Sequence, residues 1–297
     1  MHVGKLVFIT GASSGIGQAL ARQYQGAGYR LALVARRTQL VQDWATSLGL
    51  ESTHCRVYAA DVAVMESILG AARDCMSQQG LPDVVIACAG ISVGMDTARR
   101  EDLDVMAAVY AVNNIGLAAT FHPFVEPMVR RGSGTLVGIA SVNGIRGFPG
   151  HGAYCSSKAA VISYCESLRG ELRATGVKVL TVCPGYIDTP LTRDNSYAMP
   201  FLMAPQDFSR RLMRCVDAGR SYSVIPWQMG LVAKFLRLLP NTWFDRLFAS
   251  RPRKKRGLAQ SRHGDGQVAE NKKGPVGSFF MCAQHGRTPA GASPAVS

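Results

Sequence analysis

Seven short runs of apolar residues, many of them β-branched, recur along the first 226 residues, at 6–10, 31–35, 56–60, 84–89, 135–140, 177–183 and 223–225. They are continuous rather than alternating, as expected of strands buried on both faces of a parallel sheet. Between them, at 16–27, 38–48, 63–79, 101–129 and 154–175, apolar residues return at three- and four-residue steps, the period of a helix lying on a core. Strands alternating with helices predict an α/β protein: a doubly wound parallel sheet with helices on both faces, in a single domain over 1–226. A chain of 297 residues is long enough to bury such a core. Ligands of these sheets sit beyond the carboxyl ends of the strands, so the residues after each run matter most.

After the first run the chain reads Thr10-Gly11-Ala12-Ser13-Ser14-Gly15-Ile16-Gly17. Three glycines spaced GxxxGxG allow a sharp turn and a close backbone approach to a pyrophosphate. A helix opening near Ile16 would turn its N-terminal N–H groups and dipole toward that negative charge. The second run ends at Ala35 and is followed by Arg36 and Arg37, with no acidic residue until Asp43. An acid here would hold the ribose 2′-hydroxyl of NAD. A guanidinium instead offers a planar cationic fork to a 2′-phosphate. Two arginines are poorly placed as mere decoration of a helix start, where the dipole disfavours cations. Arg36 therefore points to NADP in preference to NAD.

The stretch 141–158, SVNGIRGFPGHGAYCSSK, carries the chemistry. Tyr154 and Lys158 are four residues apart, one turn along the same face of a helix. Val161, Tyr164, Cys165, Leu168 and Leu172 continue the helical period until Gly176. An ammonium beside a phenol favours the phenolate and lowers the tyrosine pKa, so the hydroxyl can pass a proton in either direction. Ser141 follows the apolar run that ends at Ala140, which would deliver its hydroxyl to the open edge of the sheet. His151 is a candidate substrate contact, although a loop histidine is more often a polar surface residue.

Taken together, these motifs resemble the classical short-chain dehydrogenase/reductase family over residues 4 to about 226. TGASSGIG at 10–17 is similar to the family's cofactor loop, and Asp61-Val62 to its adenine-contacting pair. The family's NNAG appears as Ala87-Cys88-Ala89-Gly90, which keeps the last two residues and loses both asparagines. Asn113-Asn114-Ile115-Gly116 is similar to NxxG, and Ser141 with Tyr154 and Lys158 to the serine and YxxxK. Pro184-Gly185, Ile187 and Thr189 resemble the segment at the nicotinamide end. The resemblance implies a Rossmann-type fold and hydride transfer between nicotinamide and a carbonyl/alcohol pair. It implies that Asn113, Ser141, Tyr154 and Lys158 are catalytic. Tyr154 would exchange the proton and Ser141 would hydrogen-bond the carbonyl oxygen. Lys158 would bind the nicotinamide ribose, and the backbone at Asn113 would hold a water.

Composition narrows the remaining classes. The eight cysteines include no CxxC and no metal-ligand spacing, so free thiols in a reducing, cytoplasmic compartment are expected and no metal. The first residues run straight into a strand and leave no room for a signal peptide. The net charge is +13, but residues 251–297 hold nine Lys/Arg against two Asp/Glu, so +7 of it lies in the tail. With no basic helix or nucleic-acid motif, a nucleic-acid partner is not expected. The lid region 190–208 is apolar, through Met199, Phe201, Leu202 and Met203. That suits a lipophilic carbonyl, and equally suits a lid packed on the core.

Residues 227–250 read as a helical extension, apolar and basic, in two short helices broken at Pro240-Asn241. It is too interrupted to span a membrane. Either it lies in a membrane interface, with the basic run up to 256 assisting, or it caps the substrate pocket or a subunit interface. A homo-oligomer is compatible with the second case. The tail 251–297 is basic and rich in Gly, Pro and Ser, and is expected to be disordered. The alternative to an enzyme is a non-catalytic NADP-binding adaptor that acts through the extension, for which a Ser/Tyr/Lys/Asn set would have no use.

Overall fold

Leu6–Thr10 (β1, LVFIT) is buried at every position and lies inside a seven-stranded sheet, third in the order. The computed structural model describes residues 4–193, 195, 197–250, 252, 254 and 256. The other strands are β2 (Arg30–Ala35), β3 (Cys55–Ala59), β4 (Val84–Ala87), β5 (Gly134–Ile139), β6 (Val177–Pro184) and β7 (Tyr222–Ile225). All pair in parallel, in the order β3-β2-β1-β4-β5-β6-β7. The order reverses between β1 and β4, which opens a crevice at their carboxyl ends.

Because side chains alternate along a strand, each strand feeds two cores. Leu6, Phe8, Val85 and Leu136 face α3 (Met65–Gln78), α5 (Gly116–Arg131) and α6 (Gly152–Glu171). Phe8 meets Phe124 of α5 with ring centres 4.9 Å apart. Val7, Ile9, Leu33 and Val137 face the other way, toward Leu20 and Tyr24 of α1 (Gly15–Gly26) and Val41 of α2 (Thr38–Ser47). The predicted fold class is the observed one.

Three details differ from the sequence reading. The stretch expected as one helix at 101–129 is α4 (Glu101–Tyr110), a π-turn at Ala111–Ile115, and α5. By length and apolarity Glu101–Arg131 would suffice to cross a membrane, but Phe121, Phe124 and Met128 bury it in the core. Beyond the short α7 (Pro190–Arg193) lies α8 (Pro205–Asp217), a helix the sequence reading missed. Its Phe208, Leu212, Cys215 and Val216 are buried on the α1 side of the sheet. His151 is buried rather than on the surface.

The extension forms α9 (Trp227–Leu238) and α10 (Asn241–Phe248), broken at Pro240 as expected. Both belong to the same compact unit as the sheet. Met229 and Ala233 join the core. Arg146 ties the corner between the helices. It donates to the carbonyls of Leu236 and, at 2.8 Å, Leu239, and to Asn241 Oδ1 at 3.1 Å. Its guanidinium also stacks 3.9 Å over the Phe244 ring. Of the tail, Lys254 donates to Ser92 at 3.1 Å and Arg256 to Asp102 at 2.7 Å. The rest of the expected disordered tail lies outside the described residues. The seven described cysteines are free, and no group of metal-binding residues occurs among the described residues.

Candidate active site

The turn after β1 closes on itself tightly. Gly11 and Gly15 take φ of +71° and +56°, a region favourable only to glycine. A Cβ on Gly17 would stand 2.2 Å from the Gly11 carbonyl oxygen, and one on Gly11 2.9 Å from the Ala89 backbone. Ser14, at the N-cap of α1, makes no side-chain capping bond. The first N–H groups of the helix are thus left for an external acceptor. This is a cradle shaped for a pyrophosphate, and the residues fit a dinucleotide.

One cleft at the crevice is lined by the predicted cofactor residues Gly11, Ser13, Ser14, Gly15, Ile16, Gly17, Arg36, Asp61, Val62, Ala89, Gly90, Gly185, Ile187 and Thr189. Ser141, Tyr154 and Lys158 line it too. Arg36 is largely exposed at one end, 3.8 Å from Asp61. Arg37, left out of the sequence-based set, stands beside it. At the other end Thr189 and Pro190 close over Gly15, whose added Cβ would stand 3.2 Å from the Thr189 side chain.

Asn113 does not line the cleft. It sits buried in the π-turn, a geometry that recurs at functional sites. Its Oδ1 accepts from Ile91 N at 2.9 Å, and its Nδ2 donates to Ile91 O at 3.0 Å and to Ser157 Oγ at 2.9 Å. Ser157 in turn donates to the Tyr154 carbonyl at 2.8 Å. Asn113 thereby couples the loop after β4 to the helix that carries Tyr154. From the other side, Thr10 Oγ1 accepts from Cys88 N and Ala89 N at 3.1 and 3.2 Å. The loop that lacks both expected asparagines is held by these two anchors. Sequence reasoning passed over Thr10 and Ser157, although both lie inside quoted motifs.

Tyr154 and Lys158 share a face of α6, with Nζ 5.9 Å from the centre of the phenol ring. Lys158 is buried, and its ammonium donates to the Ile139 carbonyl at 2.8 Å. Burial pulls Lys158 down to about 8. Burial also pushes Tyr154 up to about 12, while its hydrogen bond with Ser141 acts in the opposite direction. The sequence expectation of a tyrosine lowered by the lysine is therefore corrected: desolvation by burial is the largest cause and raises it, and it outweighs the Ser141 hydrogen bond.

A second cavity of about 560 Å³ lies beside the Ser141–Tyr154–Lys158 group. Val142, Phe148, Tyr186 and Tyr197 form part of its wall, and α9 and α10 supply Met229, Val232, Ala233, Leu236 and Phe248. Tyr197 is close enough to Tyr154 to bear on its ionisation. Its hydroxyl lies 3.5 Å from His151 Nε2. The inner side of the extension thus caps an apolar pocket.

Comparison with known proteins follows the same line. The family described as short chain dehydrogenase matches residues 5–199. An uncharacterised oxidoreductase of Myxococcus xanthus is 34% identical over 244 residues, covering 81% of this chain and 95% of its own. Dehydrogenase/reductase SDR family member 7B of Danio rerio is 32% identical over 274 residues, covering 85% of this chain and 87% of its own. Among solved structures, an alcohol dehydrogenase from the archaeon Thermococcus sibiricus complexed with 5-hydroxy-NADP has a TM-score of 0.65 at 26% identity, covering 74% of this chain and 95% of its own. A short-chain dehydrogenase/reductase from Burkholderia phymatum in complex with NAD has a TM-score of 0.71 at 21% identity, covering 86% and 98%. These two complexes hold different nicotinamide cofactors, so likeness of fold does not choose between them.

Proposed function

We propose that this chain, which belongs to the short-chain dehydrogenase family and is an NAD(P)-dependent dehydrogenase/reductase, prefers NADP and acts on a lipophilic carbonyl or the matching alcohol. The reading is carried by the meeting of one cleft, with Arg36 at one end and the Ser141–Tyr154–Lys158 group at the other, and an apolar cavity beside that group. The largely exposed Arg36 guanidinium, met by Asp61 only at 3.8 Å, and the absence of an acid directly after β2 support the 2′-phosphate.

Bound in the cleft, the nicotinamide cofactor supplies the hydride chemistry. The N-terminal N–H groups of α1 hold its pyrophosphate. Ser141 donates to the substrate carbonyl oxygen and fixes its distance from Tyr154. Tyr154 gives its proton to that oxygen in reduction and takes it back in oxidation. Lys158 holds the ribose hydroxyls, and in its charged form it offsets the negative charge left on Tyr154. Asn113 acts as a positioning residue through Ser157 and Ile91. The apolar wall of Phe148, Met229 and Leu236 takes the body of the substrate and excludes water.

The test is steady-state consumption of NADPH and of NADH by purified protein against a panel of hydrophobic aldehydes and ketones. Faster turnover with NADPH, rising with the apolar size of the carbonyl, supports the reading. Equal use of both cofactors, or preference for small polar carbonyls, refutes it.

A further inference from the structure

The α9–α10 pair has two faces. Met229, Val232, Ala233 and Leu236 look inward over the cavity. On the opposite side, Trp227, Leu231, Phe235 and Leu238 follow at steps of four, four and three residues, which is one stripe of a helix. Trp243 continues the apolar surface on α10, and Leu247, also exposed, stands where that surface meets the cavity wall. These six side chains are 58–83% exposed. Single exposed hydrophobics are ordinary, but two tryptophans, a phenylalanine and three leucines on one pair of helices are a patch that needs a partner.

We propose that this outer face docks on an anionic lipid bilayer, lying in the headgroup boundary rather than crossing it. At 12 and 8 residues the two helices are too short to span the hydrocarbon core. Their composition suits the interface: tryptophans at the level where amphipathic rings settle, leucines pointing deeper, and cations at the edge. Lys234, Arg237 and Arg246 stand among the exposed residues of these helices against one acid, Asp245. Cations at this position add attraction to an anionic leaflet.

The same charges argue against the other occupants. In a two-fold pairing with a second copy the face meets itself, so Lys234 and Arg237 would be brought against like charges. The chain beyond 256 is no better suited, because it carries Arg262, Lys272, Lys273 and Arg287 against Asp265 and Glu270. Docking itself is independent of the chemistry. Its consequence, delivery of a lipophilic substrate from the bilayer to the cavity beneath the two helices, rests on the function proposed above.

The experiment is co-sedimentation of the full-length protein with phosphatidylcholine vesicles, with and without phosphatidylserine, at low and high salt. Wild type should bind the phosphatidylserine vesicles more tightly, with part of that binding lost to salt. The triple variant Trp227→Ser, Leu238→Ser, Trp243→Ser should lose roughly tenfold or more in partitioning. It should also keep the wild-type unfolding midpoint, since these side chains are exposed. The variant Lys234→Gln, Arg237→Gln, Arg246→Gln should lose part of the salt dependence, the rest being carried by the basic run at 251–256, and retain binding to phosphatidylcholine alone. Tyr154→Phe should sediment like wild type, which separates this test from that of the reaction. Absence of binding at low salt, or full binding by the triple variant, overturns the proposal. So does a dimer in solution that dissociates when Trp227, Leu238 and Trp243 are replaced, because it assigns the face to a second copy.

Discussion

Lys158 is charged, buried and held by one carbonyl, so replacing it with methionine should change how stability depends on pH. Burial lowers the ammonium from its ordinary 10.5 to about 8 in the folded, cofactor-free protein. At about 1.4 kcal/mol for each tenfold change, that fall amounts to a destabilisation of roughly 3 kcal/mol at neutral pH. Lys158→Met removes it and also removes the 2.8 Å bond to the Ile139 carbonyl, a loss of about 1 kcal/mol. The variant should therefore be more stable than wild type by roughly 2 kcal/mol near neutral pH.

The sign of the pH dependence follows from the direction of the shift. A folded pKa below the unfolded one means that the unfolded chain binds the proton more strongly between the two values. Wild-type stability relative to the variant therefore rises as pH goes from about 8 to 10.5 and falls again on acidification through 8. Of the nearby thiols, Cys88 and Cys165 are pushed up to about 12 by burial, and burial raises Cys183 as well, so they stay neutral across most of that window. Urea unfolding of both proteins by tryptophan fluorescence, at steps across the window, measures the difference. A gap that stays constant with pH would refute the reasoning.

Three further outcomes follow from the site. Tyr154→Phe should abolish turnover and leave NADPH affinity nearly unchanged; activity within about tenfold of wild type would remove Tyr154 from the proton-transfer role, since positioned acid–base groups contribute about 100-fold or more. Arg36→Asp removes a charge-assisted contact worth about 1.5–3 kcal/mol, so NADPH affinity should fall by roughly one to two decades while NADH gains relative to it, as read by titrating both cofactors. Gly17→Ala puts a methyl 2.2 Å from the Gly11 carbonyl oxygen. It should cost about 1–3 kcal/mol in thermal unfolding and most of the cofactor affinity; an unchanged melting temperature would mean that the turn is looser than the geometry indicates.

How far the sequence could be read depended on whether a property was local. The sheet was legible because runs such as LVFIT at 6–10 admit few alternatives when both faces are buried. The order of cofactor loop, serine, tyrosine and lysine was legible because each motif follows a strand. Helix α8 was not read, although Pro205 opens it and Phe208, Leu212, Cys215 and Val216 keep the helical period. Only its first turn fell inside the lid read at 190–208, and the rest went unassigned because Arg210, Arg211 and Arg214 break up the apolar residues on paper but share the solvent side in space. The state of Tyr154 was misjudged because spacing reports a neighbouring charge and cannot report the burial that opposes it. The extension was ambiguous for a similar reason. It is apolar nearly all round, and only the fold decides which face meets the cavity and which faces outward.

In the proposed reaction this cleft brings a reduced nicotinamide and a lipophilic carbonyl together beside Tyr154. Transfer of label from NADPH deuterated at the nicotinamide C4 tests it directly, with the alcohol product analysed by mass spectrometry for wild type and Tyr154→Phe. Deuterium is expected on the carbinol carbon with wild type, from one face of the nicotinamide only, and no labelled product with the variant. Cofactor binding without label in any carbonyl of the panel, or equal labelling by both proteins, would contradict it.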